Sequence, residues 1–252
     1  MTTVFVLEYH HQLLEIWRSR AVSGIRLDHV DFHCDMRGLF VDRGRSEVAW
    51  VGREPRGLDE GNFISHAIME GWVGDIAWVY GTPGGRTHDV SGVVLESDLG
   101  RHLPWKQPRP ASRREGVAYS ETRLENWAGP RQRGWLDIDW DTFASLDIPI
   151  ASIEARVESF LTLLRAGGGA RPDAISVCYS PGYSHPTRPA FEVFVRELAN
   201  LYRAETSRPD WKDEAGRQPS GLKLLIPGSV RTVLRESSDH MNRSLRRRGI
   251  FL

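Results

Sequence analysis

Short β-branched and aromatic runs alternate along this chain with amphipathic segments of helical period, and that alternation restricts the fold more than any other feature. Residues 3–8 and 24–32 read as strands, and residues 11–20 between them carry Leu13, Leu14 and Trp17 at helical spacing. A second helix is expected over residues 59–70. It has acids at its start, Phe63, Ala67 and Ile68 on one face, and Gly71 at its end. Strands follow at 75–80, 90–96 and 134–139. Residues 152–166 place Ile153, Val157, Phe160, Leu161 and Leu164 on one helical face and stop at a run of three glycines. A strand at 174–179 and a helix at 188–202 complete the series. The pattern predicts an α/β domain in three layers, with a mainly parallel central sheet flanked by helices.

Residues 100–134 mix Pro, Arg and aromatics without a period and are expected to be rich in loops. Residues 206–220 are polar, contain Pro209 and Pro219, and read as a mobile excursion. Residues 221–252 then add a C-terminal element, a strand at 222–226 and a helix at 229–247, and the whole of 1–252 is read as one domain. The 33 basic and 33 acidic side chains cancel, which removes the basic field a nucleic-acid partner would call for. Leu245-Arg-Arg-Arg248 reads as the solvated end of a helix. No apolar run approaches the roughly 20 residues of a membrane span, and residues 1–6 lack a basic signal-peptide start, so a cytoplasmic protein with no membrane partner is expected. Cys34 and Cys178 are too few and too far apart for a disulfide framework or a cysteine-based zinc site, and are expected as free thiols.

The chemistry concentrates in three places. Asp31-Phe-His-Cys-Asp35 closes the second strand, and the period of two in an extended chain starts Asp31, His33 and Asp35 on one side. Trp135-Leu-Asp-Ile-Asp-Trp140 puts Asp137 and Asp139 on one face of a strand that is otherwise apolar. Two buried carboxylates are expensive unless paired or bound to a cation; the plainer alternative makes them caps beyond the sheet edge. Leu7-Glu-Tyr-His-His11 ends the first strand. All three sit at carboxyl ends of strands, where open α/β sheets place their sites. Two imidazoles and four carboxylates make a ligand set for two divalent cations. The carboxylate-rich donors favour Mn²⁺, with Fe²⁺ and Co²⁺ as alternatives, and a metal-bridging hydroxide as nucleophile.

Glu8-Tyr-His-His11, His29-Val-Asp-Phe-His-Cys-Asp35, Leu136-Asp-Ile-Asp139 and Ser180-Pro-Gly-Tyr183 together resemble motifs of the arginase, agmatinase and deacetylase superfamily of metal-dependent hydrolases. The similarity is closest to the divergent branch that includes the peptide arginases, which convert arginine side chains to ornithine in ribosomally made peptide natural products. It spans about residues 4–194. The resemblance implies an arginase-like fold, with Asp31 and Asp137 as bridging carboxylates. It places His10 and Asp35 on one metal and His33 and Asp139 on the other, with His11 the alternative to His10. It implies hydrolysis of a guanidinium in an arginine-containing precursor peptide, with release of urea.

A cationic guanidinium needs a carboxylate to orient it. Ordinary arginases supply a glutamate from a late strand, whereas the matching stretch here, Val177-Cys-Tyr-Ser-Pro181, has no acid. Glu8, read as sharing a strand face with His10, is the first substitute and Glu60 the second. Asn62 is a further substrate-binding candidate, and His66, one helical turn beyond it, is a candidate proton shuttle or a plain helix-face residue. Alternative functions are a small-molecule ureohydrolase, an amide deacetylase, or a metal-stabilised binding module without turnover. Homo-oligomerisation is left open.

Overall fold

β1 (Thr3–Leu7) is buried along nearly its whole length, so its five residues form a continuous apolar run instead of an alternating one. The same holds for β8 (Trp135–Asp139) and β9 (Ala174–Cys178), in which every residue is buried. In this computed structural model the described residues are 2–36, 39–42, 44–50, 58–81, 94–95, 116–146, 148–167 and 170–209. All of them belong to one unit, Met1–Pro209; Asp210–Leu252 is assigned to a second, which lies outside the described residues.

Beside those strands stand β2 (Ile25–Val30), β3 (Leu39–Asp42), β4 (Glu47–Trp50), β5 (Val73–Tyr80), β6 (Val94–Leu95), β7 (Val117–Arg123) and β10 (Glu205–Ser207). They form one sheet in the order β10-β1-β9-β8-β2-β5-β7-β4-β3-β6. From β10 to β7 every neighbouring pair is parallel; β4 runs antiparallel to both β7 and β3. Besides a one-turn helix at Asp141–Ala144, the α-helices among the described residues are α1 (Leu13–Ser19), α2 (Phe63–Met69), α3 (Ile153–Ala166) and α4 (Arg188–Tyr202).

One sheet face carries Val4, Val6, Val30, Leu136, Ile138, Ile175 and Val177 against Phe160, Leu161 and Leu164 of α3 and Phe191, Phe194 and Leu198 of α4. On the opposite face, Trp135 lies 5.8 Å from the Phe5 ring and edge-on to Trp17 of α1 at 5.9 Å, and Trp17 meets Phe63 of α2 at 6.3 Å. Helices thus cover both faces, giving the expected three-layer α/β architecture. Register on the α1 and α2 side matters for the site. His29 pairs with Asp137, which pairs with Ser176, and Asp139 pairs with Cys178. Partners in parallel strands share a face, so these polar residues form rows across adjacent strands.

Several boundaries differ from the sequence reading. The first strand stops at Leu7, because the Gln12 side-chain oxygen accepts from the Glu8 and Tyr9 amides, each at 3.0 Å, and the chain enters a 3-10 turn (His10–Gln12) before α1. The helix expected from residue 59 begins at Phe63. The Asp59 carboxylate takes the Gly61 amide at 3.0 Å and the Asn62 oxygen takes the Asp59 amide at 2.9 Å, so the acidic start forms a turn. β7 lies within the stretch expected to be loops. Tyr119 is its only buried residue, so it presents no apolar run to read. The β3–β4 hairpin had no counterpart in the sequence reading. Of the strand expected at 90–96, Val94–Leu95 forms β6 and the rest lies outside the described residues. Residues 206–207 belong to β10, while 210–220, the elements at 222–226 and 229–247 and the run Leu245–Arg248 lie outside the described residues. Among the described residues, no helix is long and apolar enough to cross a membrane.

Candidate metal centre

The carboxyl ends of β1, β2 and β8 converge on one buried cluster. His10, carried there by the 3-10 turn, is fully buried at its centre. Its Nδ1 lies 3.3 Å from Asp31, 3.3 Å from Asp35 and 3.1 Å from Asp139, and its Nε2 lies 3.0 Å from Asp137. His33, a quarter exposed at the rim, places Nδ1 3.8 Å from Asp31. All six residues expected as metal ligands therefore stand together, and of the two neighbouring histidines it is His10 that enters. His11 turns aside against the Tyr9 ring at 5.9 Å.

Two further residues join them. His29 reaches Asp137 at 2.9 Å and Asp31 at 3.3 Å, and Asp141 holds His33 at 2.9 Å. Both continue the period-two runs already evident in the sequence, H-x-D-x-H-x-D from His29 and D-x-D-x-D from Asp137, so extending each run by one step would have found them. Four sets of ligand atoms lie within 4.8 Å of one another: His10, His29, Asp137; His10, Asp139, Cys178; His10, Asp31, Asp35; and Asp31, His33, Asp141.

The electrostatics are those of an anionic pit. Five aspartates face three imidazoles, and neither His10 nitrogen, nor His29 Nε2, nor Asp31 Oδ2, makes an aligned hydrogen bond. Burial pushes His10 down, but Asp137 and Asp139 outweigh it and hold its pKa well above the ordinary value. Burial likewise lowers His33, yet Asp141 raises it to about 9. Burial and the charges of Asp141, Asp35 and Asp139 push Asp31 well above the usual carboxylate range. Asp137 goes the other way: burial raises it, but His10 and His29 more than offset that and hold it below its usual value. Buried nitrogen and oxygen atoms that crowd together without aligned hydrogen bonds, in such a charge imbalance, fit divalent cations, because a cation placed among them supplies aligned contacts and the missing charge.

One pH effect follows for the metal-free protein. A histidine whose folded pKa exceeds its unfolded value stabilises the fold fully below the unfolded value and loses that contribution as pH rises through the folded one. His33, ordinarily at 6.5 and here at about 9, should make metal-free protein progressively less stable to urea between those values. Replacing His33 with Gln should flatten that part of the profile.

Outside the cluster, hydroxyls complete the aspartates. Ser176 donates to Asp137 at 2.5 Å, Ser180 donates to Asp139 at 2.6 Å, and the backbone amides of His33 and Asp141 donate to Asp31 at 2.7 Å and Asp139 at 3.1 Å. These bonds fix the carboxylates with their remaining oxygen directions facing inward. Asp35 and Ser180 both sit in the left-handed region, at φ of 49° and 48°, a strained backbone held at the site itself. The Ser180-Pro-Gly-Tyr183 turn thus aims one hydroxyl at Asp139. Ser180→Ala should lower metal affinity by roughly 10–100-fold, measured by competition with a chromogenic chelator.

The other sequence candidates lie outside the ligand groups. Glu8 does not share a face with His10, because β1 ends between them; it follows the parity of Val4 and Val6 and ion-pairs with Arg188, whose guanidinium stacks 3.8 Å above Tyr179. Glu60 lies close enough for its charge to contribute to raising the Cys178 thiol, which burial already pushes well up. Asn62 is buried in the turn before α2, and His66 is half-buried on α2, whose Phe63 stacks on His10 at 4.6 Å.

No protein-family model and no curated protein matches the sequence. Among solved structures, the fold is similar to a hypothetical agmatinase from Burkholderia thailandensis at 18% identity and TM-score 0.42. It is also similar to a proclavaminate amidino hydrolase from Streptomyces clavuligerus at 14% and 0.43, and to an arginase from Medicago truncatula at 13% and 0.43. Each match covers 80% of this chain but 59%, 63% and 58% of the respective structures, so the chain spans about three fifths of the length of those proteins.

Proposed function

We propose that this protein is a dimetal-dependent hydrolase that cleaves the guanidinium of arginine within a peptide, leaving ornithine and releasing urea. The observation that carries the reading is the buried cluster around His10, whose nitrogens crowd four carboxylates without an aligned hydrogen bond at the carboxyl edge of a parallel sheet. His10, Asp31, Asp35, Asp137 and Asp139 would hold the metals, with His33 at the solvent-facing rim. Two bound dications supply the field that activates water near neutral pH.

The chain's own residues do the rest. Ser176 and Ser180 keep Asp137 and Asp139 oriented, and Phe63 and Trp17 close the floor against water. Glu60, whose charge reaches the Cys178 thiol, is the acid assigned to orient the substrate's cationic fork, while Glu8 pairs with Arg188. Asn62 belongs to the same turn, and His66 is the residue assigned to hand a proton to the departing side-chain nitrogen. Glu60→Gln should raise KM at least about tenfold with a smaller effect on kcat, whereas Glu8→Gln should leave KM near the wild-type value.

The peptide substrate rests on the likeness of the four motifs to the peptide-arginase branch. Manganese-loaded protein incubated with arginine-containing peptides should release urea and shift the peptide by the mass lost when arginine becomes ornithine. Turnover of free arginine or agmatine with no turnover of peptides would replace this reading with a small-molecule ureohydrolase. Loss of acetyl groups from acetylated amines, without urea, would make the protein a deacetylase.

A further inference from the structure

Two of the four ligand groups, which share no residue, differ in their donor atoms. On one side, Asp31, His33 and Asp141 offer only nitrogen and oxygen. On the other, His10 and Asp139 are joined by Cys178, whose sulfur lies within 4.8 Å of both ligand atoms. Cys178 is fully buried and directly opposite Asp139 in the β8–β9 register, so sheet geometry points both side chains to the same face. His10 is fully buried beside it with neither ring nitrogen in an aligned hydrogen bond, an independent mark of a missing electrophile at this place.

Among the described residues the Cys178 sulfur has one hydrogen-bond contact, Ser180 Oγ at 3.2 Å, and the Ser180 hydroxyl proton is committed to Asp139 at 2.6 Å. The thiol therefore donates to Ser180. Loss of that proton leaves the Ser180–Asp139 bond in place.

We propose that Cys178 is a metal ligand, which makes the site asymmetric: an imidazole, carboxylate and thiolate subsite at His10, Asp139 and Cys178, beside an imidazole and carboxylate subsite at Asp31, His33 and Asp141. On binding, the thiol proton passes to solvent and the freed sulfur lone pair forms the metal bond. Thiolate favours Zn²⁺, Co²⁺ or Fe²⁺ over Mn²⁺, so the sulfur subsite selects a softer ion than its neighbour, and the loaded protein carries two unlike metals when both kinds are supplied. The inference rests on the metal reading above but not on the substrate.

Co²⁺ substitution tests it without reference to turnover. Metal-free protein titrated with Co²⁺ should develop an intense near-ultraviolet sulfur-to-cobalt charge-transfer band beside weaker visible bands. Cys178→Ser should lose the near-ultraviolet band entirely, retain visible bands, and bind Zn²⁺ at least about tenfold more weakly with little change for Mn²⁺. Cys34→Ser should keep the band; because the chain has only two cysteines, that result identifies Cys178 even if Cys178→Ser fails to fold. Visible cobalt bands in the wild type with no charge-transfer band, or a band that survives Cys178→Ser, would overturn the assignment while sparing the metal site. Failure to bind Co²⁺ at all would overturn both.

Discussion

Asp31→Asn and Asp137→Asn are expected to move the metal-free protein in opposite directions while both abolish metal-dependent activity. Ionising Asp31 is costly in the metal-free fold, because it is fully buried beside three other carboxylates. An amide there keeps the acceptor for the His33 amide and removes one charge from among the neighbouring acids. Metal-free Asp31→Asn should gain roughly 1–2 kcal/mol in urea unfolding. Asp137 is the converse. Its oxygens accept from Ser176 and face His29 at 2.9 Å and His10 at 3.0 Å, and these imidazoles hold it below its usual pKa. Replacing it leaves buried histidine charge uncompensated and should cost about 3 kcal/mol. Equal losses from the two variants would mean the cluster is a balanced structural network with no need of cations.

Arg131→Ala should produce the largest loss of stability from any residue remote from the centre. Its guanidinium donates to Asp28 at 2.9 Å, Asp75 at 2.7 Å and the Leu27 carbonyl at 3.0 Å, and its backbone amide donates to Asp28 at 2.7 Å. It thereby clamps β2 to β5 and neutralises an aspartate that is 2% exposed. Removing one partner of a buried pair costs about 3–5 kcal/mol, or a fall in Tm of roughly 6–15 °C for a protein this size. Asp28→Asn in the same chain should recover part of it. Asp28 points to the face opposite His29, so metal uptake by the folded variant should be unchanged.

The parts of this molecule legible in its sequence are those where one physical signal dominates. β1, β8 and β9 are buried along their lengths, so each reads as an apolar run, and the carboxylates of β8 stand out against it. Five of the six expected ligand residues come from β8 and the loop that leaves β2, where their close spacing in sequence keeps them together, and His10 is brought in by the turn after β1. Parity fails where the strand itself ends: Gln12 closes β1 at Leu7 through two amides, and Glu8 and His10 part company. β7 was illegible because its side chains are mostly solvated, and the turn at Asp59 because its acids resemble a helix start. Cys34 and Cys178 are free thiols, as expected, but sequence separation conceals that Cys178 faces Asp139 from the adjacent strand.

The most direct measurement is metal content by elemental analysis of protein purified without chelator, beside Asp31→Ala and Asp137→Ala. The wild type should carry about two divalent transition-metal ions per chain as a dimetal centre, and each variant should lose at least one. A folded wild-type protein that takes up no metal under any reconstitution would contradict a dimetal centre.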